Sequence, residues 1–132
     1  MSVFFDTSAV VALHADVPER EAAAAALDAA TCVSAIALTE ALALIDRLTD
    51  EPVLRADLED AIRLQWDHYH VVPVDQRCLD RAADMLREQP LRLADAIQLA
   101  AASRLPRPVV YVTFDPIQIP VALGLGFDVV AL

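Results

Sequence analysis

Five short, mostly apolar runs punctuate a chain that otherwise reads as helix: residues 3–5, 31–34, 71–74, 109–113 and 127–131. This alternation is what most limits the folds open to the chain. Strands buried on both faces read as near-continuous apolar runs, as these do. Between them the sequence predicts helices over 8–14, 18–30, 36–48, 53–69, 75–87, 93–104 and 116–123. Pro18 with Glu19 and Glu21 suits a helix start, because proline is tolerated in the first turn and acids favour the positive end of the dipole. Leu54, Leu58, Ile62 and Trp66 recur every fourth residue, and Leu79, Ala82, Ala83 and Leu86 form a second stripe. Pro90 ends one helix and the Pro106/Pro108 pair the next, while Gly124 and Gly126 are expected to form a turn before the last strand. Short strands alternating with helices predict an α/β fold with a parallel sheet covered on both faces. Without repeat, linker or low-complexity tract, residues 1–132 are expected to form a single domain, with 57% apolar residues for its core.

Composition removes several functions at once. All ten basic residues are Arg, none is Lys, and glycine occurs twice. A P-loop needs spaced glycines and a Lys, a dinucleotide fingerprint needs three glycines, and Schiff-base chemistry needs a Lys amine. With 20 Asp and Glu against 10 Arg the net charge is −10, which argues against a broad basic surface for nucleic acid. The longest apolar stretch, residues 33–45, is 13 residues and carries Glu40, short of the roughly 18 a membrane span needs. No basic leader with a cleavage site opens the chain, so a cytoplasmic protein that contacts no membrane is expected. Cys32 and Cys78 read as free thiols, and His68 and His70 as surface histidines with no third soft ligand nearby.

Most acids fall on solvated helix faces, but four do not. Asp6 directly follows the first strand, and Asp115 follows the fourth with only Phe114 between. Glu40 lies in a stretch whose other polar residues are Ser34 and Thr39, and Asp95 shares a helical face with Leu99 and Ala102. Each taken singly fits a helix cap, a turn residue or the partner of a nearby Arg. Taken together they point to one edge, because an open parallel sheet binds its ligand beyond the carboxyl ends of the strands. Hard oxygen ligands alone suit Mg²⁺ or Mn²⁺. Arg77, Arg92 and Arg104 are candidates for the rim of such a pocket and for substrate contacts, against the plainer expectation of an Arg paired to a neighbouring acid.

These residues carry a family resemblance. The opening Val-Phe-Phe-Asp6-Thr7-Ser8-Ala-Val-Val-Ala-Leu, the Glu40 helix, Leu93-Ala94-Asp95-Ala96-Ile97-Gln98-Leu99-Ala100-Ala101-Ala102, and Val112-Thr113-Phe114-Asp115 with Ala122-Leu123-Gly124 together resemble a PIN domain. Within that family the chain is most similar to the VapC-type ribonuclease toxins of type II toxin–antitoxin pairs. The resemblance implies a three-layer α/β/α sandwich with a five-stranded parallel sheet. It also implies a Mg²⁺-dependent endoribonuclease that leaves 5′ phosphate and 3′ hydroxyl ends. Asp6, Glu40 and Asp95 would then be the core metal-binding and catalytic acids, Asp115 the fourth, and Ser8 and Thr113 supporting hydroxyls. A cognate antitoxin and a homodimer are implied partners, and the apolar surfaces of 22–27 and 38–48 are expected to serve them. Segment 116–120, Pro-Ile-Gln-Ile-Pro, departs from the more helical, often basic segment of relatives.

Other readings are constrained by the same residues. A phosphoacceptor receiver domain needs a Lys after its last strand, and a haloacid-type phosphatase needs a second Asp where Asp6-Thr7-Ser8 has none. The remaining rival is a non-catalytic PIN-like binding module whose acidic pocket captures an Arg-rich peptide.

Overall fold

Along β1 (Ser2–Phe5) the side chains divide between two cores: Val3 and Phe5 enter one apolar cluster and Phe4 the other, as the two-residue repeat of a strand requires. In the computed structural model, which describes residues 1–132, β1 is joined by β2 (Cys32–Ser34), β3 (His70–Val72), β4 (Val109–Val112) and β5 (Asp128–Val130). All pair in parallel, in the order β3-β2-β1-β4-β5. The Val3/Phe5 face is covered by α1 (Thr7–Ala12), α2 (Arg20–Ala26), α3 (Ala37–Leu48) and α4 (Pro52–Trp66). The Phe4 face is covered by α5 (Gln76–Glu88), α6 (Leu93–Ala102) and α7 (Ile119–Gly124). The result is the three-layer α/β/α sandwich with a five-stranded parallel sheet. Phe4, Tyr111 and Phe127 stack through its second core, with ring centroids 5.4 and 5.6 Å apart.

Element bounds depart from expectation where polar side chains intervene. The helix expected over 18–30 contracts to α2, because Leu27 is extended and Asp28 turns the chain, its carboxylate accepting from the Ala30 N–H and the Thr31 hydroxyl. Thr31 therefore belongs to that turn rather than to β2. β3 ends at Val72, ahead of Pro73, which has no N–H for the ladder. Gly124 closes α7 instead of forming a turn, and Gly126 alone takes a positive φ, 84°. Tyr69 is buried, Cys32 and Cys78 are free thiols, and no helix is long and apolar enough to cross a membrane.

The strand order places a switch point at the middle of the sheet. From β1 the chain moves outward through β2 and β3, then returns past β1 to β4 and β5. The connections leaving β1 and β4 part at their carboxyl ends, where such sheets open a crevice. Pairing of Phe5 with Val112 sets Asp6 level with Thr113 at its mouth.

Candidate functional site

Asp6 is 1% exposed and caps α1. Its Oδ1 accepts from the Ser8 hydroxyl (2.6 Å) and the Ala9 N–H (3.0 Å), and its Oδ2 accepts from the Thr113 hydroxyl (2.7 Å). Burial outweighs these three bonds and, with a smaller push from the charge of Asp115, raises the carboxyl from 3.8 to about 6. The same hydroxyls fix the segment that follows β4: Ser8 Oγ accepts from the Phe114 N–H and Thr113 Oγ1 from the Asp115 N–H.

Asp95 stands in the first turn of α6 and is 3% exposed. Arg92, just before the helix, grips it in a fork, Nε donating to Oδ2 at 2.9 Å and Nη2 to Oδ1 at 3.1 Å. The same Nη2 donates to Asp115 Oδ2 at 2.6 Å, so one guanidinium bridges two of the four acids. Asp95, then Asp115 and Glu40, hold that guanidinium above its ordinary range. Gln118 Nε2 donates to Asp95 Oδ1 at 3.0 Å, and the Tyr111 hydroxyl donates to Gln118 Oε1. Asp115 Oδ1 accepts from the Ile117 N–H, a turn contact. Glu40, in the first turn of α3, accepts at Oε1 from the Thr7 hydroxyl (2.7 Å) and Gln98 Nε2 (2.9 Å). Cap, turn residue and arginine partner are thus all realised here, and Asp6, Glu40, Asp95 and Asp115 nevertheless line one cavity of about 630 Å³.

Ser8 and Arg92 line it too, while Thr113 supports Asp6 from behind. The other two arginines singled out in the sequence lie elsewhere. Arg77 is exposed at the start of α5, and Arg104 Nη1 pairs with Asp75 Oδ1 at 2.7 Å. The cavity's second cation is Arg47, at the end of α3, which the sequence did not single out. Gln98, Gln118 and Thr7 also escaped sequence reasoning. A signal existed for Gln98, the one polar side chain after Asp95 in a helix otherwise of Ala, Ile and Leu. None existed for Gln118, whose amide reaches the site through the turn over 116–118. His68 and His70 are both exposed, far in role from any ligand cluster.

No three His, Cys, Asp or Glu side chains converge closely enough to hold a metal ion unaided, Arg92 standing between Asp95 and Asp115. Mg²⁺ does not require such a cage, since it retains several waters and takes one or two carboxylates. An oxygen-only donor set in a roomy cavity, with a buried Asp6 whose charge lacks a cation, fits Mg²⁺ or Mn²⁺ and not a thiol- or imidazole-seeking metal. A smaller apolar groove of about 160 Å³ runs on from the cavity, sharing Ser8, Leu44 and Phe114 with it and adding Val11, Val17 and Leu48.

Fold and cavity together define an α/β domain with a carboxylate-lined cleft at the switch point of its sheet. The chain belongs to the PIN domain family, whose model matches residues 3–122. Among solved structures it is similar to the sarcin–ricin-loop-cleaving toxin VapC20 of Mycobacterium tuberculosis, with 21% identity, 91% of this chain and 95% of that chain covered, and a TM-score of 0.71. VapBC2 from Rickettsia felis, solved with a promoter DNA fragment, gives 11%, 100%, 99% and 0.72 for the same quantities. A toxin–antitoxin complex from Klebsiella pneumoniae gives 22%, 86%, 87% and 0.67. At these identities the likeness to solved structures is one of fold. Comparison with curated proteins finds no match.

Proposed function

We propose that this protein is a Mg²⁺-dependent endoribonuclease of the VapC type, acting as the toxin of a toxin–antitoxin pair. The observation that carries this reading is the meeting of Asp6, Glu40, Asp95 and Asp115 on one cavity of a PIN-family fold. Asp6, Asp95, Asp115 and Glu40 would hold the cation, with Mn²⁺ as a substitute. When bound, the cation supplies Lewis-acid stabilisation of charge on the phosphate and a more acidic water.

The chain's own residues do the rest. Ser8 and Thr113 fix both oxygens of Asp6, so that it meets a cation without reorganising. Glu40, with one oxygen committed and the other free, accepts the proton of the water that attacks phosphorus. The P–O3′ bond breaks as the water's oxygen bonds to phosphorus, and the leaving 3′ oxygen takes up a proton from solvent, giving 5′ phosphate and 3′ hydroxyl ends. Arg92 and Arg47 meet the phosphate at the mouth, which keeps backbone contacts few on a chain of charge −10.

A cognate antitoxin would lay an apolar tail in the groove of Val11, Val17 and Leu48 and offer a basic side chain to the acids, in competition with Arg92. One of the similar structures is a toxin–antitoxin complex and another is VapBC2 with a promoter DNA fragment, which supports a cognate antitoxin as partner. A homodimer, a single domain over 1–132 and a cytoplasmic site of action belong to the same proposal. The test is cleavage of RNA in Mg²⁺, Mn²⁺ and EDTA by the native protein and Asp6→Asn. Loss in EDTA and in the variant is expected; cleavage that persists in both would overturn the nuclease reading. A second reading has one observation in its favour: the pocket already accommodates a guanidinium, that of Arg92, as a module capturing an Arg-rich peptide would. Persistent cleavage-free binding of such a peptide would favour it.

A further inference from the structure

We infer that Gln98 is a positioning residue for Glu40, forming with Thr7 a neutral clamp that commits one carboxylate oxygen and presents the other to the cavity. The inference rests on the nuclease reading above and deepens it.

Three elements meet at this clamp. Thr7 opens α1, Glu40 lies in α3 and Gln98 in α6. Gln98 Nε2 donates to Glu40 Oε1 at 2.9 Å and to Thr7 Oγ1 at 2.8 Å, and the Thr7 hydroxyl donates to the same Glu40 Oε1 at 2.7 Å. The ring is closed, and its amide orientation follows from chemistry, since an ionised carboxylate only accepts. Both donors converge on Oε1; Oε2 has no protein partner, on a residue that lines the cavity.

The identity of residue 98 is costly for the fold. Gln98 is 1% exposed, among the buried Ala96, Ile97, Leu99 and Ala100 of α6, and its Oε1 is buried without a hydrogen-bond partner. A buried amide with half its capacity unmet destabilises relative to an apolar side chain of similar size. Packing alone would favour Leu or Met. What Gln98 supplies instead is orientation of a side chain with three rotatable bonds, without adding charge. That contrasts with Arg92, which neutralises the acids that it touches. Because Asp95 lies three residues earlier on α6, this one helix sets the placement of two of the four acids. Misplacement of a reacting group by about 1 Å can cost on the order of 100-fold in rate.

The test compares full-length native protein with Gln98→Leu, Gln98→Met, Thr7→Val and Thr7→Ser. Four quantities are read: Tm, Mn²⁺ affinity by calorimetry, and kcat and KM on RNA in Mg²⁺. Gln98→Leu and Gln98→Met are expected to hold or raise Tm, lower kcat by about 10- to 100-fold with KM nearly unchanged, and weaken Mn²⁺ binding several-fold. Thr7→Val should follow them in kcat and Mn²⁺ affinity, and Thr7→Ser, which keeps the hydroxyl, should recover most of both. If either Gln98 variant folds and matches the native protein in Mn²⁺ affinity and kcat, the clamp is overturned. It is likewise overturned if kcat falls only alongside a lower Tm, which is the mark of a structural role. If Gln98→Leu does not fold, Gln98→Met and Thr7→Val decide. Should the native protein itself not cleave RNA, the nuclease reading fails separately, and Mn²⁺ affinity alone decides the clamp: weakened in the variants, it stands; unchanged, it falls.

Discussion

The Thr113 hydroxyl donates to Asp6 Oδ2 at 2.7 Å across 107 residues of sequence, and both groups are buried. Thr113→Val keeps the volume and removes the donor, leaving a carboxylate oxygen buried without a partner. The variant is expected to lose about 1–3 kcal/mol of stability in chemical denaturation, and Thr113→Ser much less. Equal stability of the Val and Ser variants would show that the bond contributes little.

Arg92 occupies the space between Asp95 and Asp115 that a cation would share. Its side chain is 65% exposed, so the direct ion pairs are screened and Arg92→Gln should cost under about 1 kcal/mol without metal. The same change removes a competitor, and Mn²⁺ should bind more tightly while RNA cleavage falls through a higher KM. Calorimetry showing weaker Mn²⁺ binding would contradict the competitor role.

Asp6 gives the metal-free protein an unusual pH dependence. Its carboxyl rises from 3.8 to about 6 on folding, mainly by burial, so the folded state binds a proton more readily than the unfolded chain. The stability linked to this group is fully present below pH 3.8 and is lost as pH rises through about 6. The full loss is on the order of 3 kcal/mol. Urea midpoints in EDTA at pH 5 and 7.5 should show it, superposed on other titrations, and Asp6→Asn should reduce the difference. An identical pH profile for variant and native protein would rule Asp6 out as its source.

Divalent cations should reverse that loss. Mg²⁺ or Mn²⁺ at about 100 times its Kd adds roughly 2.7 kcal/mol by binding only the folded state, a rise of several degrees in Tm. Asp95→Asn should abolish most of the rise with little loss of fold, since Gln118 still meets the side chain. Scanning calorimetry with and without metal reads both, and a full rise in Asp95→Asn would exclude that carboxylate from metal binding.

What the sequence disclosed follows from which forces are local. The strands and most helices were legible from apolar runs and proline stops, and Asp6 and Asp115 stood out because they interrupt strand ends. The sheet order was not legible in the residues themselves, because the return from β3 past β1 to β4 is decided by packing of whole layers. The three arginines had similar local contexts. Only the fold separates them: Arg92 precedes α6 and folds back on Asp95, Arg104 lies beyond the other end of that helix, about 18 Å along its axis, and Arg77 is exposed on α5. The clamp on Glu40 was invisible for the same reason, Thr7 and Gln98 being 91 residues apart. Asp28, read as an ordinary helix residue, ended α2 through two side-chain bonds that compete with helical ones.

The pairing of β1 with β4 also sets a timetable. Asp6 is made 107 residues before Thr113, the residue just after β4 whose hydroxyl holds it. While β2 and β3 are being made, β1 lacks its β4 partner, and Asp115 and the Thr113 hydroxyl do not yet exist. A nascent chain therefore carries an incomplete acidic cleft until β4 has emerged, and the cleft closes only through that long-range pairing. Asp6 and Asp115 therefore meet only after every residue between them has been made.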